Sequence, residues 1–382
     1  MDSLRPAPDI ALAAATKALL LSNPNPRVGC IIAFANGQMI CQGHTQQTGG
    51  PHAEVMALRD AAEQGHGTQG ATVYVTLEPC SHHGRTPPCC DALIEAGVAK
   101  VVIATLDPNP LVAGQGAEKL RAAGIVVEVL PPNSAEAIAS RELNIGFFSR
   151  MIRGTPWVRL KTAMSLDGTT ALDNGASQWI TGQAARTDGH AWRARACAVL
   201  TGIGTVRDDD PMLDVRLVET PRQPHLVIVD SRLETPVSAK LFQPAAPRKV
   251  FIYCAIDDGP KRAALEALGA AVIHMPGTST GTEHKVDLAA MLKDLGRREV
   301  NELHVEAGHK LHGSLIREGL ADEFLTYLAP SLLGPGMGMA ALAPMTALKD
   351  GVHLRFASVD RIGDDLRIVS RVTGHDDFLN AR

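Results

Sequence analysis

His52, Cys80 and Cys89 are scattered over the first quarter of this 382-residue chain, and a fold that gathers them makes a metal site. One imidazole and two thiolates are zinc ligands; four protein ligands close a structural site, whereas three leave a position for water. Glu54 stands two residues after His52. A carboxylate there need not touch the metal, and it can shuttle protons once bound water has been brought toward a neutral pKa. The demand on the fold is specific. Gly49-Gly50-Pro51 reads as a turn with Pro51 at the first helical position, and residues 53–62 read as a helix, so His52 and Glu54 face one cavity from a helix N-terminus. Residues 71–77 form a β-rich apolar run ended by Glu78-Pro79, which leaves Cys80 just past a strand. Cys89 and Cys90 precede a short helix, 91–96, stopped by Gly97. A thiol at a helix N-terminus is biased toward the thiolate that binds metal.

Singly, each of these residues reads as filler, since a lone buried cysteine is usually a small core hydrophobe. Their conjunction carries the chemistry: His-Ala-Glu, a strand, Pro-Cys, a loop, a second cysteine. The pattern H-x-E…P-C-x-x-C belongs to nucleobase deaminases, so zinc-dependent hydrolytic deamination is the expected reaction. Cys90 adjoins Cys89 and competes for the second thiolate position; Cys89, directly after Pro87-Pro88, is preferred. Cys30, Cys41, Cys197 and Cys254 read as core thiols. Seven cysteines without a dense even framework fit a reducing compartment, and a cytoplasmic location is expected. The apolar stretch 10–21 is short and holds Lys17, and no apolar run reaches about 18 residues, so neither signal peptide nor membrane span is expected. A net charge of −4 argues against a nucleic-acid partner. An RNA- or DNA-editing deaminase is disfavoured by that charge and by the eight residues between Cys80 and Cys89, a longer gap than its motif has. A closed zinc module needs a fourth ligand, for which His82, His83 or Cys90 are the nearby candidates.

The length predicts two domains. In the first half, strands are read at 28–35, 72–77, 101–106 and 126–130, alternating with helices that include 115–123, an α/β layer pattern. A closing helix is expected at 135–148, and the polar, Gly/Pro-containing joint 150–156 places the boundary near residue 150, giving domains 1–150 and 151–382. The second half starts a fresh α/β series with strands at 157–163, 198–202, 225–230, 250–253, 271–274, 302–306 and 323–329. Ligands of open α/β sheets bind beyond the carboxyl ends of strands. Gly308-His309-Lys310-Leu311-His312-Gly313-Ser314 opens a helix there and can cradle phosphate, as can Gly202 to Thr205, although neither is the Rossmann fingerprint. Residues 374–382 read as a solvated tail.

These motifs resemble, over nearly the whole chain, the bacterial bifunctional riboflavin-biosynthesis deaminase/reductases. In the first half the resemblance rests on Asn23-Pro24-Asn25-Pro26-Arg27-Val28-Gly29-Cys30, Pro51-His52-Ala53-Glu54, Thr76-Leu77-Glu78-Pro79-Cys80-Ser81-His82 and Asp107-Pro108-Asn109-Pro110. In the second half it rests on KTAMSLDG from Lys161, Ser177-Gln178-Trp179-Ile180-Thr181, Gly204-Thr205-Val206 with Asp209-Asp210-Pro211, and Glu306 through Ser314. The resemblance implies an α/β chain with an N-terminal cytidine-deaminase-like three-layer domain and a C-terminal dihydrofolate-reductase-like domain. It implies deamination of 2,5-diamino-6-ribosylamino-4(3H)-pyrimidinone 5′-phosphate, then NADPH-dependent reduction of ribosyl to ribityl, giving 5-amino-6-ribitylamino-uracil 5′-phosphate. On the matching positions, His52, Cys80 and Cys89 hold Zn2+, Glu54 is the proton shuttle, and Asn25, His44, His82 and Arg85 surround pyrimidine and phosphate. NADPH falls to Ala163, Trp179, Thr205, Asp209, Ser231, Gly308, His309, Lys310, Leu311, His312, Gly313 and Ser314. Substrate falls to Lys161, Ser177, Arg193, Leu213, Arg216 and Glu306, with Arg193 and Arg216 neutralising the ribose phosphate and Lys161 protonating the opening sugar. Ala307 stands where many relatives have Gly. A homo-oligomer, dimer or tetramer, joined through the reductase domains is also implied.

Overall fold

The computed structural model describes residues 7–34, 38–82, 87–109, 112–243, 247–278, 281–282 and 284–380. The chain divides into two compact units, Met1–Gly154 with Phe378–Arg382, and Thr155–Asp377. No helix among the described residues is long and apolar enough to cross a membrane.

The first unit runs α1 (Ala7–Thr16), β1 (Gly29–Ala33), β2 (Met39–His44), α2 (Ala53–Glu63), β3 (Thr72–Val75), α3 (Cys89–Glu95), β4 (Lys100–Ile103), α4 (Gln115–Ala122), β5 (Val126–Val129), α5 (Ala135–Leu143) and α6 (Ile145–Arg153). Its sheet has the order β2-β1-β3-β4-β5. The pairs of β1 with β2 and β3 are antiparallel, and the β3-β4-β5 end is parallel. Two glycines let helices lie directly on the sheet. A Cβ on Gly29 would stand 1.9 Å from the Ala11 carbonyl oxygen of α1, and one on Gly43 would stand 2.2 Å from the Ala53 carbonyl oxygen of α2. Gly43 faces Cys30 across the ladder, one residue from Gly29, so α1 and α2 cover opposite faces and the unit has three layers.

The second unit runs β6 (Trp157–Ser165), β7 (Ala171–Leu172), α7 (Gln183–Arg195), β8 (Ala198–Gly202), α8 (Ile203–Asp209), β9 (His225–Val229), β10 (Val250–Cys254), α9 (Gly259–Glu266), β11 (Ala270–His274), α10 (Leu288–Arg297), β12 (Glu302–Val305), α11 (His309–Arg317), β13 (Glu323–Ala329), β14 (Gly336–Met337), β15 (Leu354–Ile362) and β16 (Asp365–Val372). Its nine-stranded sheet has the order β11-β10-β9-β8-β12-β6-β13-β16-β15. It is parallel from β11 to β13 and closes with an antiparallel hairpin. Leu200, Val227, Phe251, Leu303 and Val305 pack on one face with Met291 and Leu295 of α10 and Leu315 of α11. On the other face Val199, Leu226, Ile228 and Ile252 pack with Val206 of α8 and Leu265 of α9. Further along that second face, Ala185 of α7 meets Leu325, Tyr327 and Val369.

Several sequence expectations are corrected. Strands β2, β15 and β16 join the sheets. The single helix expected at 135–148 is two, broken at Asn144, whose carboxamide accepts from Arg27 N at 2.7 Å and donates to Arg27 O at 3.0 Å. The joint expected from residue 150 is still helix α6 to Arg153, ended by Gly154 at φ 75°. Pro51 precedes the helix rather than opening it, because His52 is the N-cap of α2. The tail expected to be solvated is packed: Leu379 is buried, and the Arg153 guanidinium lies 4.9 Å from the Phe378 ring.

Candidate active sites

In the first unit, α2 starts at the mouth of the site, so His52 caps it and Glu54 sits buried in its first turn. Cys80 follows β3 by a short loop, and Cys89 is the first residue of α3. The possible ligand atoms of His52, Cys80 and Cys89 all lie within 4.8 Å of one another. Cys89 Sγ is 3.3 Å and Cys80 Sγ 3.6 Å from His52 Nδ1. Among the described residues no fourth His, Cys, Asp or Glu joins this group, which leaves Glu54 beside it and outside it. Cys90 falls outside this group, its thiol facing the carbonyls of Pro79 and Gly116 at 3.4 and 3.5 Å.

The electrostatics suit a metal. The hydrogen bond from Cys89 takes Cys80 down to about 4 against the cost of burial, assisted by His52 and the Cys89 amide at 3.3 Å. The same pairing, with burial, drives the Cys89 thiol far up. Cys80 is thus the more readily ionised of the two thiols, and binding of a cation would displace protons from this set. Burial also raises Glu54, the Cys80 charge adding and His52 opposing. A carboxyl raised in this way takes and returns protons more readily near neutral pH.

The turn that carries Cys80 is held by a residue given no role from the sequence. Glu78 is buried, and its carboxylate accepts from the backbone N–H groups of Asp107, Gly114 and Ala117 at 3.2, 2.9 and 3.0 Å. It thereby ties the strand end to the start of α4, and Gly116 leaves room, since a Cβ there would meet the Pro79 oxygen at 2.1 Å. The placement of a Glu immediately before Pro-Cys was the available signal. Asn25 and His44 are half-buried and His82 is exposed; Arg85 lies outside the described residues.

In the second unit, β6, β12 and α7 converge on Glu306, just past β12. Its carboxylate receives Arg193 Nε at 2.6 Å and Nη2 at 2.9 Å, and Arg193 Nη1 donates to the Asp214 carbonyl. Burial works to raise Glu306, but the Arg193 charge and hydrogen bonds outweigh it and hold the carboxyl well below its usual range. Lys161 adjoins this pair, and burial lowers its ammonium pKa, with Glu306 opposing and Arg193 assisting. Arg193, expected to neutralise the ribose phosphate, is thus an 8%-exposed partner of Glu306. Arg216 keeps an exposed guanidinium paired with Asp214 at 2.8 Å. Leu213, at φ 50°, is buried, and its carbonyl accepts from Arg248 Nη1 at 2.6 Å.

The residues expected around NADPH divide. Gly308 caps α11, and His309 and Lys310 form its first turn at an open end. His312 and Gly313 turn inward: His312 Nδ1 lies 3.2 Å from the Met339 carbonyl, and a Gly313 Cβ would meet the Ala341 oxygen at 2.3 Å. Leu311 packs on Gly202, and Ser314 is tied to Lys310 and Arg317. Ser231 Oγ accepts from Val286 N at 3.2 Å on a turn fastened by Asp230, which takes Glu234 N, Thr235 N and the Thr235 hydroxyl. Thr205 lies in the first turn of α8 and Asp209 at its end, raised chiefly by burial. Ala163 is half-buried on β6. Ser177 is exposed, as is Trp179, with Arg186 4.6 Å above the Trp179 ring.

Comparison with known proteins places a described family on each unit. Residues 1–105 match the cytidine and deoxycytidylate deaminase zinc-binding region, and residues 156–368 match the RibD C-terminal domain. The chain is 42% identical over 373 residues to riboflavin biosynthesis protein RibD of Escherichia coli, covering 93% of this chain and 96% of that one. It is 40% identical to the protein of the same name from Aquifex aeolicus, over 94% of this chain and 96% of that one. Among solved structures, Acinetobacter baumannii RibD superposes with a TM-score of 0.84 at 39% identity, covering 96% of this chain and 98% of that one. A diaminohydroxyphosphoribosylaminopyrimidine deaminase/5-amino-6-(5-phosphoribosylamino)uracil reductase from Thermotoga maritima gives 0.81 at 31% identity, over 95% and 97%.

Proposed function

The chain belongs to the RibD family of bifunctional riboflavin-biosynthesis enzymes, and we propose that its two units run consecutive steps, deamination in the first and ribosyl reduction in the second. The enzyme uses zinc and NADPH. Zinc supplies an electrophile that acidifies water, and NADPH supplies a hydride; the chain's own residues do the rest.

His52, Cys80 and Cys89 hold the metal, and the reading is carried by their gathering while Glu54 stays outside the ligand set. Glu54 accepts a proton from attacking water and returns one to the departing amine, so that an amino group and water become a carbonyl and ammonia. Asn25, His44, His82 and Arg85 orient the diaminopyrimidine ribosylamino phosphate. In the second unit, bound NADPH would supply a hydride to C1′, and Lys161 gives a proton to the ring oxygen that this frees. Glu306, held by Arg193, binds the substrate and keeps Lys161 charged; Ser177, Leu213 and Arg216 complete the pocket. Ala163, Trp179, Thr205, Asp209, Ser231 and the first turn of α11 would hold NADPH, with Leu311 to Ser314 bracing that turn. The enzyme works in the cytoplasm. A second copy of the chain covers edge strand β15, where Phe356 and Val359 are 73% and 54% exposed.

The deciding experiment compares wild type with Glu54→Gln, following ammonia release and NADPH absorbance together. Wild type releases ammonia without NADPH and oxidises NADPH only as deaminated product accumulates. The variant keeps its zinc and releases no ammonia; unchanged turnover sinks the proton-shuttle role.

A further inference from the structure

Glu302, His304 and Glu306 alternate with Leu303 and Val305, so the two sets face opposite sides of the sheet. Leu303 and Val305 enter the apolar cluster, while His304 pairs in register with Arg159 of β6, on the side that also bears Lys161. This buried polar layer has two ends. At one, Arg159 bridges Glu302 at 3.0 Å and Glu323 at 2.5 Å, and Arg195 adds to Glu302 at 2.8 Å. At the other, Glu306 holds Arg193 beside Lys161. His304 lies between them with 0% exposure; its Nε2 is 3.5 Å from Glu306 Oε1, and among the described residues neither ring nitrogen has a hydrogen-bond partner. An aliphatic side chain would be cheaper to bury there. Glu306 Oε1 takes only the Arg193 Nε–H at 2.6 Å, and a carboxylate oxygen has a second lone pair to offer.

We propose that His304 is a positioning residue of the reductase, a neutral imidazole whose Nε2–H closes onto Glu306 Oε1 when substrate fills the site and fixes that carboxylate between Arg193 and Lys161. The inference rests on Glu306 and Lys161 acting on the ribosyl group. Burial keeps the imidazole neutral, taking its pKa down to about 3, so an N–H and a lone pair are both available across the working range. Arg193 grips Glu306 from the α7 side only; a contact from β12 itself stops the carboxylate from pivoting about that grip.

The test uses full-length, zinc-loaded enzyme with His304→Leu and His304→Gln, supplied with the deaminated ribosylamino phosphate and NADPH. Leu lowers the reductase kcat about tenfold or more, as loss of a hydrogen bond to a charged group does. The KM for NADPH stays within about twofold, and ammonia release by the other unit is unchanged, which separates positioning from misfolding. Gln, whose amide reaches the same oxygen, restores most of kcat. Should the Leu variant not fold, His304→Asn makes the comparison, carrying the same amide too short to reach. Wild-type kcat in the Leu variant, or a Gln variant as impaired as the shorter or apolar one, overturns the proposal. A wild type that oxidises no NADPH with this substrate overturns the reductase reading, and the proposal with it.

Discussion

Gly43→Ala isolates the packing that sets the deaminase geometry. The new methyl would stand 2.2 Å from the Ala53 carbonyl oxygen and 2.4 Å from the Ala57 nitrogen, where ordinary contact begins at 3.4 Å. Both atoms belong to helix backbone, so relief comes from α2 withdrawing by roughly 1 Å, not from a side chain turning aside. Ala53 lies between His52 and Glu54, and the withdrawal carries both away from Cys80 and Cys89. Overpacking of this kind costs about 1–3 kcal/mol of stability. Its effect on chemistry is larger, because misplacement by about 1 Å costs on the order of 100-fold. Ammonia release should fall by about that factor, measured beside NADPH oxidation on supplied deaminated substrate, which should stay within about twofold. Gly67→Ala is the control, having open space at its Cβ, and should alter neither rate. Ammonia release by the Gly43 variant within about threefold of wild type would show that α2 does not set the catalytic distances.

Cys89→Ser should lose zinc on dialysis while Cys90→Ser retains it, because a hydroxyl can replace the Cys90 donor to Pro79 and Gly116; metal content measures both, and equal loss refutes the assignment. Arg159→Leu removes the guanidinium shared by buried Glu302 and Glu323 and should cost about 3–5 kcal/mol in denaturant unfolding of the second unit. A loss below about 1 kcal/mol would mean that the remaining arginines satisfy both carboxylates. His190, His304 and His312 are buried, and burial lowers their pKa values to about 4, 3 and 4. Their folded values lie below the unfolded one near 6.5, so as pH falls the unfolded chain takes protons first. Stability is therefore intact above about pH 6.5 and lost from there toward the folded values, at up to roughly 1.4 kcal/mol per pKa unit for each imidazole. The melting temperature of the second unit should drop steadily from pH 7 to 5, and a flat profile over that span contradicts the neutral, buried assignment.

Legibility followed the locality of the signal. The strands from β8 to β11 were readable because each is a largely apolar run bounded by turns, whereas Met39–His44 carries Gln and Gly that its pairing with β1 tolerates. In Leu354–Ile362 the apolar residues point out from an edge, so no buried face marks the strand. The break at Asn144 depends on Arg27, over a hundred residues earlier, and no local pattern encodes it. The His52, Cys80 and Cys89 cluster was legible since motif order alone brings it to two helix starts and one strand end. Cys89 was already preferred to the adjacent Cys90 in sequence, and in the structure Cys89 Sγ lies 3.3 Å from His52 Nδ1 while Cys90 faces two carbonyls. The pairing of Arg193 with Glu306 spans 113 residues and has no local signal.

Along β12, the buried polar side chains Glu302 and His304 also bear on how the sheet is assembled. The strands on its far side, such as Leu226-Val227-Ile228-Val229, are nearly uniform apolar runs, which say little about how far each should slide against its neighbour. β12 is different. A slip of one residue against β6 or β8 would turn Glu302 and His304 into the leucine layer and push Leu303 and Val305 among the guanidiniums of Arg159 and Arg195. A one-residue slip thus buries charge without a counterion, while the aligned sheet satisfies Arg159 from both sides. The polar layer is an alignment key at the centre of the sheet, and substitutions that make it more hydrophobic trade away the fidelity of strand matching even where the finished fold tolerates them.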